Sequence, residues 1–201
     1  MRIARTNLRV PSSRLLRVMI GMAVAMALSL VAVGNAFSDE ERVRFTMRDD
    51  CDPATFDAAV GPGTCIQRGS TTFGDFIADL IEDHFVAAWR FDPRRAPVHQ
   101  GRSIELKNRG GETHTFTKVA KFGGGFVPPL NGLTAPILET PVAPECVSAP
   151  GVPAPPSPTN IFVPAGQEVD GPMAGTSALP LGQSKWQCCI HPWMRTTITV
   201  P

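Results

Sequence analysis

Three things are scarce in this sequence, and each removes a class of function. Charge of one sign is scarce: nineteen Lys and Arg stand against eighteen Asp and Glu over 201 residues, a net charge of +1. That balance offers neither nucleic acid nor an anionic membrane surface an electrostatic partner. Histidine is scarce, four residues in all, too few for an enzyme built on several histidine clusters. Long apolar runs are scarce too. The run from Val18 to Val33 has sixteen residues, slightly short of the roughly 20 that cross a bilayer as a helix. It follows Arg2, Arg5, Arg9, Arg14 and Arg17 and precedes Gly34-Asn35-Ala36, the basic, apolar and small-residue order of a secretory signal peptide. Residues 1–36 are therefore expected to be a signal and the chain periplasmic or secreted, with no membrane attachment unless that segment stays uncleaved.

What is present concentrates at the other end, in WQCCIHPWMRTTITVP from Trp186 to Pro201. Cys188, His191 and Met194 follow one another at three-residue steps, and the alternation of Thr197, Ile198, Thr199 and Val200 comes straight after. This spacing predicts a metal-binding loop closing into a final strand. A thiolate, an imidazole and a thioether are soft and borderline donors that favour copper over magnesium or calcium, and a second imidazole completes a set of two His, one Cys and a weak axial Met. His114 is the candidate for that second imidazole. Cys188 is preferred to Cys189 as the thiolate, because adjacent strand residues point to opposite faces. Two residues separate Cys188 from His191, whereas Cys189 leaves only Ile190 between. Four cysteines then remain, Cys51, Cys65, Cys146 and Cys189, an even set suited to disulfides in an oxidising compartment. Of three possible pairings, Cys51 with Cys65 and Cys146 with Cys189 are favoured.

Between these ends the pattern changes character several times. Residues 37–50 are charge-rich and read as a tether or lead-in. Phe73, Phe76, Ile77, Leu80, Ile81, His84 and Phe85 recur at helical spacing behind Thr72 and Asp75 placed as a capping box, which predicts one amphipathic helix of about three turns. Its opposite face carries Asp79, Glu82 and Asp83; His84 reads as a satisfied, partly buried side chain and His99 as exposed. From Trp89 the period drops to two. Ile104 and Leu106 alternate with Glu105 and Lys107 as a half-buried antiparallel strand, Asn108 to Gly111 turns, and Thr113 to Val119 carries His114. Proline is dense from Pro141 to Thr159, so residues of about 127–158 read as a long insertion, with strand structure resuming at Asn160 to Val163.

The loop CCIHPWMR resembles the copper loop of the plastocyanin/azurin family of blue (type 1) copper proteins, and its short Cys-x-x-His-Pro-x-Met form is most similar to the amicyanins. Phe91, Pro93, Val98, Gly101, Ile104, Leu106, Asn108 and His114-Thr-Phe116 are similar to the strands leading to that family's first copper histidine, while Trp186, Ile190 and Thr196 depart from its pattern. The resemblance implies an all-β, cupredoxin-like Greek-key β-sandwich over residues 88–201, preceded by an N-terminal helical extension over 37–87. It implies one copper ion, Cu(I)/Cu(II), on His114, Cys188, His191 and Met194, and a one-electron carrier rather than an enzyme. It also implies that Asn108 tethers the copper loop, the other reading of that residue being a plain turn former. A redox partner protein would dock near His191 and Trp193, with Phe126, Pro128 and Pro129 as patch members. The competing expectations are a copper carrier or storage protein and a metal-free binding module.

Overall fold

Alternating apolar residues on short segments can bury one face only by pairing into sheets and stacking them, and a computed structural model shows the outcome for residues 42–136 and 141–201. The expected signal segment lies outside the described residues. In chain order the elements are β1 (Val43–Arg48), α1 (Pro53–Ala59), α2 (Phe73–Glu82), β2 (Arg90–Asp92), β3 (Arg95–Pro97), β4 (Ser103–Asn108) and β5 (His114–Val119). Then come α3 (Pro128–Thr134), a 3-10 turn (Pro144–Cys146), β6 (Val147–Ala149), β7 (Val152–Pro153), β8 (Asn160–Val163), β9 (Glu168–Met173), β10 (Gly182–Gln187) and β11 (Arg195–Val200).

One sheet runs β2-β1-β4-β9 and the other β3-β11-β10-β5-β8, with β6 and β7 forming a separate hairpin. The two larger sheets stack as the expected sandwich. Its centre is aromatic. Phe116 of β5 meets Phe45 of β1 at 5.5 Å and Phe91 of β2 at 5.3 Å between ring centroids, and stacks on Trp186 of β10 at 4.7 Å. Phe45, Leu106, Phe116, Trp186 and Ile198 are all fully buried, each removing apolar surface worth about 1.5–3 kcal/mol from water.

Several sequence expectations are corrected here. The charge-rich lead-in becomes β1 from Val43 onward, an inner strand with Phe45, Thr46 and Met47 buried; apolar residues on alternate positions outweigh the surrounding charges once a neighbour is available. Strand β4 is antiparallel to β9 but parallel to β1, so both sheets are mixed. Glu105 of β4 is buried rather than facing water and pairs with Arg44 of β1. The extension holds two helices among the described residues, not one. Helix α1 starts where Asp52 caps it, its carboxylate accepting from Thr55 N–H at 3.0 Å with Pro53 in the first turn. Among the described residues, the expected insertion carries α3, the 3-10 turn and the β6–β7 hairpin.

Other expectations hold. Thr72 caps α2, accepting from Asp75 N–H at 3.1 Å, and the helix turns Phe76 and Leu80 inward. His84 is half-buried with Nδ1 at 3.1 Å from the Leu133 carbonyl of α3, and His99 is exposed. Strand β8 begins at Asn160. Both favoured disulfides are present, Cys51–Cys65 and Cys146–Cys189, and Cys188 is the free cysteine. Replacing Cys51 and Cys65 together by Ser opens a link across 14 residues of sequence. The expected result in urea denaturation is a loss of about 3 kcal/mol, mainly through a less constrained unfolded chain.

Candidate metal centre

His114 opens β5, and its position depends on the turn before it. Asn108 ends β4 and braces that turn: its Nδ2 donates to the carbonyls of Glu112 at 2.7 Å and Val163 at 3.0 Å, and its Oδ1 accepts from Gly110 N–H at 2.8 Å. Asn108 therefore acts as a turn former that places His114, and its bonds do not run to the Cys188–Met194 loop. On the other side, Asp49, just past β1, accepts from Gly111 N–H at 2.7 Å and Glu112 N–H at 3.1 Å. Gly110 lies directly against the Asp49 carboxyl, where any Cβ would collide with it.

Cys188 follows β10 and Met194 precedes β11, adjacent antiparallel strands that hold the loop's two ends together. Cys188 N–H donates to the Met194 carbonyl at 3.0 Å, and Met194 N–H to the His191 carbonyl at 2.9 Å. Two further backbone N–H groups, of Thr115 and His191, each point at the Cys188 sulfur from 3.4 Å. Cys189 faces the other way, as strand alternation requires. Its N–H donates to Thr115 Oγ1 at 2.7 Å, and its sulfur is bonded to Cys146 in a separate apolar cluster with Phe126.

The result brings three donors to one point. One ligand atom each from His114, Cys188 and His191 lies within 4.8 Å of the others, and the His114 Nδ1 to Cys188 Sγ separation is 3.9 Å. Nitrogen and sulfur donors about 2.0–2.3 Å from a shared ion sit at such separations. His114, Cys188, His191 and Met194 are all buried, at 2% exposure or less. Each imidazole also has a carboxylate behind it. His114 Nε2 is 2.8 Å from Asp49 Oδ2, which leaves Nδ1 as its coordinating nitrogen. His191 Nε2 lies 3.4 Å from Glu112 Oε2, and its Nδ1 is buried without a hydrogen-bond partner. A buried nitrogen left unsatisfied costs about 1–3 kcal/mol; coordination of a metal removes that cost. The donor set of two imidazoles and a thiolate, with this orphaned nitrogen among them, fits copper.

Asp49 and Glu112 had not emerged from the sequence. Asp49 lies 65 residues from His114 and no local spacing connects them; Glu112 stands two positions before His114, which a search for acidic residues flanking candidate ligands would have found. The resemblance implies a docking partner near His191, but the ring itself is not open at the surface. His191 is 2% exposed because Phe76 of α2 meets its ring at 6.3 Å, Trp89 at 6.3 Å and Trp193 at 5.4 Å. Trp193 is itself half-buried, its Nε1–H donating to the Val86 carbonyl at 3.1 Å.

Electrostatics favour the ligand form of Cys188, while His114 is held as a cation that gives up its proton when a metal binds. Burial alone would push the Cys188 thiol up, but hydrogen bonds and charge from His114 and His191 hold it well below its usual 9.0, and the thiolate is the metal-binding form. Burial would lower His114, yet Asp49 and Cys188 push it up to about 10. Asp49, opposed by its own burial, is held below the usual carboxylate value by His114 and the two backbone N–H groups.

No protein-family model matches the sequence, and no curated protein matches it. Solved structures similar to the chain include cupredoxins. The purple cupredoxin from Nitrosopumilus maritimus is 11% identical over 79% of this chain and 99% of that one, with a TM-score of 0.38. A mutant of amicyanin in its Cu(I) form is 14% identical over 78% and 98%, at 0.33. A mutant plastocyanin of fern is 17% identical over 56% and 89%, at 0.32.

In the metal-free protein the shifted groups define a pH window. His114 is raised from 6.5 to about 10, so its contribution to stability is full below 6.5 and fades as pH rises to about 10. Cys188 is lowered, so its contribution is full above 9.0 and fades as pH falls. Between 6.5 and 9.0 the pair binds one proton in both folded and unfolded chains. The difference in urea stability between wild type and the double variant His114→Ala/Cys188→Ser, which removes both groups, is therefore expected to be level across that window and to fall on both sides. A difference that falls steadily through it as pH rises would show a neutral thiol.

Proposed function

We propose that the chain holds one copper ion between His114, Cys188, His191 and Met194 and serves as a one-electron carrier outside the cytoplasm. The observation that carries this reading is the convergence of three buried donor atoms within 4.8 Å, one contributed by an imidazole whose Nδ1 has no other partner. Copper bound by such a set exchanges single electrons between Cu(I) and Cu(II), with the axial thioether and the surroundings tuning its potential.

The protein's part is to keep the donors still. The loop ends are pinned by β10 and β11, the sulfur accepts two backbone N–H groups, and Asp49 fixes the tautomer of His114. Donors that do not move between oxidation states reduce the rearrangement accompanying each electron. The same burial favours electron exchange over handing the ion to another protein, which needs an exposed ligand edge. His84 and His99, the remaining histidines, lie on the Leu133 carbonyl and at the surface, so a second histidine-rich site for substrate chemistry has no support. A redox partner protein would approach over Trp193, the half-buried ring next to His191. Two disulfides support an oxidising compartment, periplasmic or extracellular.

The test is the visible spectrum of the Cu(II)-loaded protein before and after ascorbate. An intense orange-red thiolate-to-copper band that bleaches on reduction is expected, lost in Cys188→Ala and His191→Ala but retained in Cys189→Ala. A pale protein that still binds Cu(I) tightly would replace electron carriage by copper carriage, and retention of the band in Cys188→Ala would overturn the assignment of the thiolate.

A further inference from the structure

Resting on the copper reading above, we infer that Asp49 and Glu112 are positioning residues that hold the two imidazoles from behind and bias the centre toward Cu(II), making it a weak oxidant. Both carboxylates are almost wholly enclosed, with side-chain exposures of 0% and 9%. Each is aimed by neutral donors. Asp49 is aimed by the N–H groups of Gly111 and Glu112 and reaches His114 Nε2 at 2.8 Å. Glu112 is aimed by Trp89, whose Nε1–H donates to Oε2 at 2.5 Å, and the same oxygen lies 3.4 Å from His191 Nε2. The two are also joined to each other, because the Glu112 backbone N–H donates to Asp49 Oδ2.

The charge count decides the direction. The Cys188 thiolate and the two enclosed carboxyl groups set anionic sulfur and oxygen around a buried site, against two positive charges for Cu(II) and one for Cu(I). Reduction therefore increases an uncompensated negative charge where screening is weak, which favours the oxidised ion. An imidazole whose far nitrogen donates to a carboxylate is also a more basic ligand, again favouring the harder Cu(II). Arg48, Arg90 and Arg109 line a cavity of about 290 Å³ that Asp49 also borders, so part of the Asp49 charge is offset from outside. The indole that aims Glu112 is neutral, and Glu112 is the cleaner test.

Glu112→Gln and Asp49→Asn keep shape and remove charge. Reduction potentials and separate Cu(II) and Cu(I) affinities are to be measured for wild type, each variant and the pair. Each substitution is expected to raise the potential and to weaken Cu(II) binding roughly tenfold or more while Cu(I) binding changes far less, with the double variant exceeding either. Equal loss of both oxidation states would mean a merely structural role and overturn the inference, as would an unchanged or lowered potential in Glu112→Gln, whatever the folding of Asp49→Asn. A wild-type protein without a thiolate-to-copper band would instead bring down the copper reading itself, so the two failures are told apart by the wild-type spectrum.

Discussion

An ionised thiolate buried without any exposed edge is the constraint on which the rest of the molecule depends. Removing a charge from water costs several kcal/mol unless other groups meet it, and Cys188 is met from every side: two backbone N–H groups at 3.4 Å, His114 at 3.9 Å and His191. Each of those partners in turn is held by something further out. His114 leans on Asp49, Asp49 on the turn braced by Asn108, and that turn on the end of β8 through the Val163 carbonyl. The sandwich supplies the rigid frame in which such a chain of contacts can persist. Phe116, two positions beyond His114 on β5, is the ring on which both sheets converge, so the core and the site share one strand.

The helical extension belongs to this arrangement as well. Phe76 of α2 packs on Trp89 at 4.8 Å and on Trp193 at 6.0 Å while covering His191, and Phe56 of α1 stacks beneath Trp89 at 5.8 Å. Trp89 also carries the hydrogen bond that aims Glu112. One aromatic cluster thus closes the site against water and positions one of its charges. The Cys51–Cys65 link fastens this cluster to the ligand-bearing turn: Gly111 lies so close to both sulfurs that a Cβ there would meet them at 2.6 and 2.8 Å. Exclusion of water matters because it strengthens every electrostatic contact inside the site.

Legibility in the sequence followed the range of the interactions involved. Cys188 and His191 could be read together because spacing within one loop brings their side chains to one point, and the separation of Cys188 from Cys189 because alternation of side chains along the chain is a local rule. The capping of α2 by Thr72 and the resumption of strand at Asn160 were likewise local. Strand β1 escaped because its six residues mix charge with apolar positions, and only pairing with β2 and β4 reveals which set wins. Asp49 escaped for the same reason, its partner lying across the sandwich. The burial of His191 was equally invisible, since an amphipathic helix announces that one face will be covered and not what it will cover.

That last difference changes how electrons would enter and leave. In a site whose imidazole reaches the surface, a partner touches the ligand itself. Here the His191 ring is separated from solvent by Phe76, Trp89 and Trp193, so on the proposed function a redox partner would reach it only across an aromatic layer. Trp193 is the shortest link, 5.4 Å from His191 between ring centroids, and its indole is clamped to the Val86 carbonyl. That bond and the ring contacts hold the indole against the histidine. On the proposed function, the cost of such a covering would be a longer path for the electron. What it secures is a site shielded from water, in which Asp49 and Glu112 lie close behind the two imidazoles.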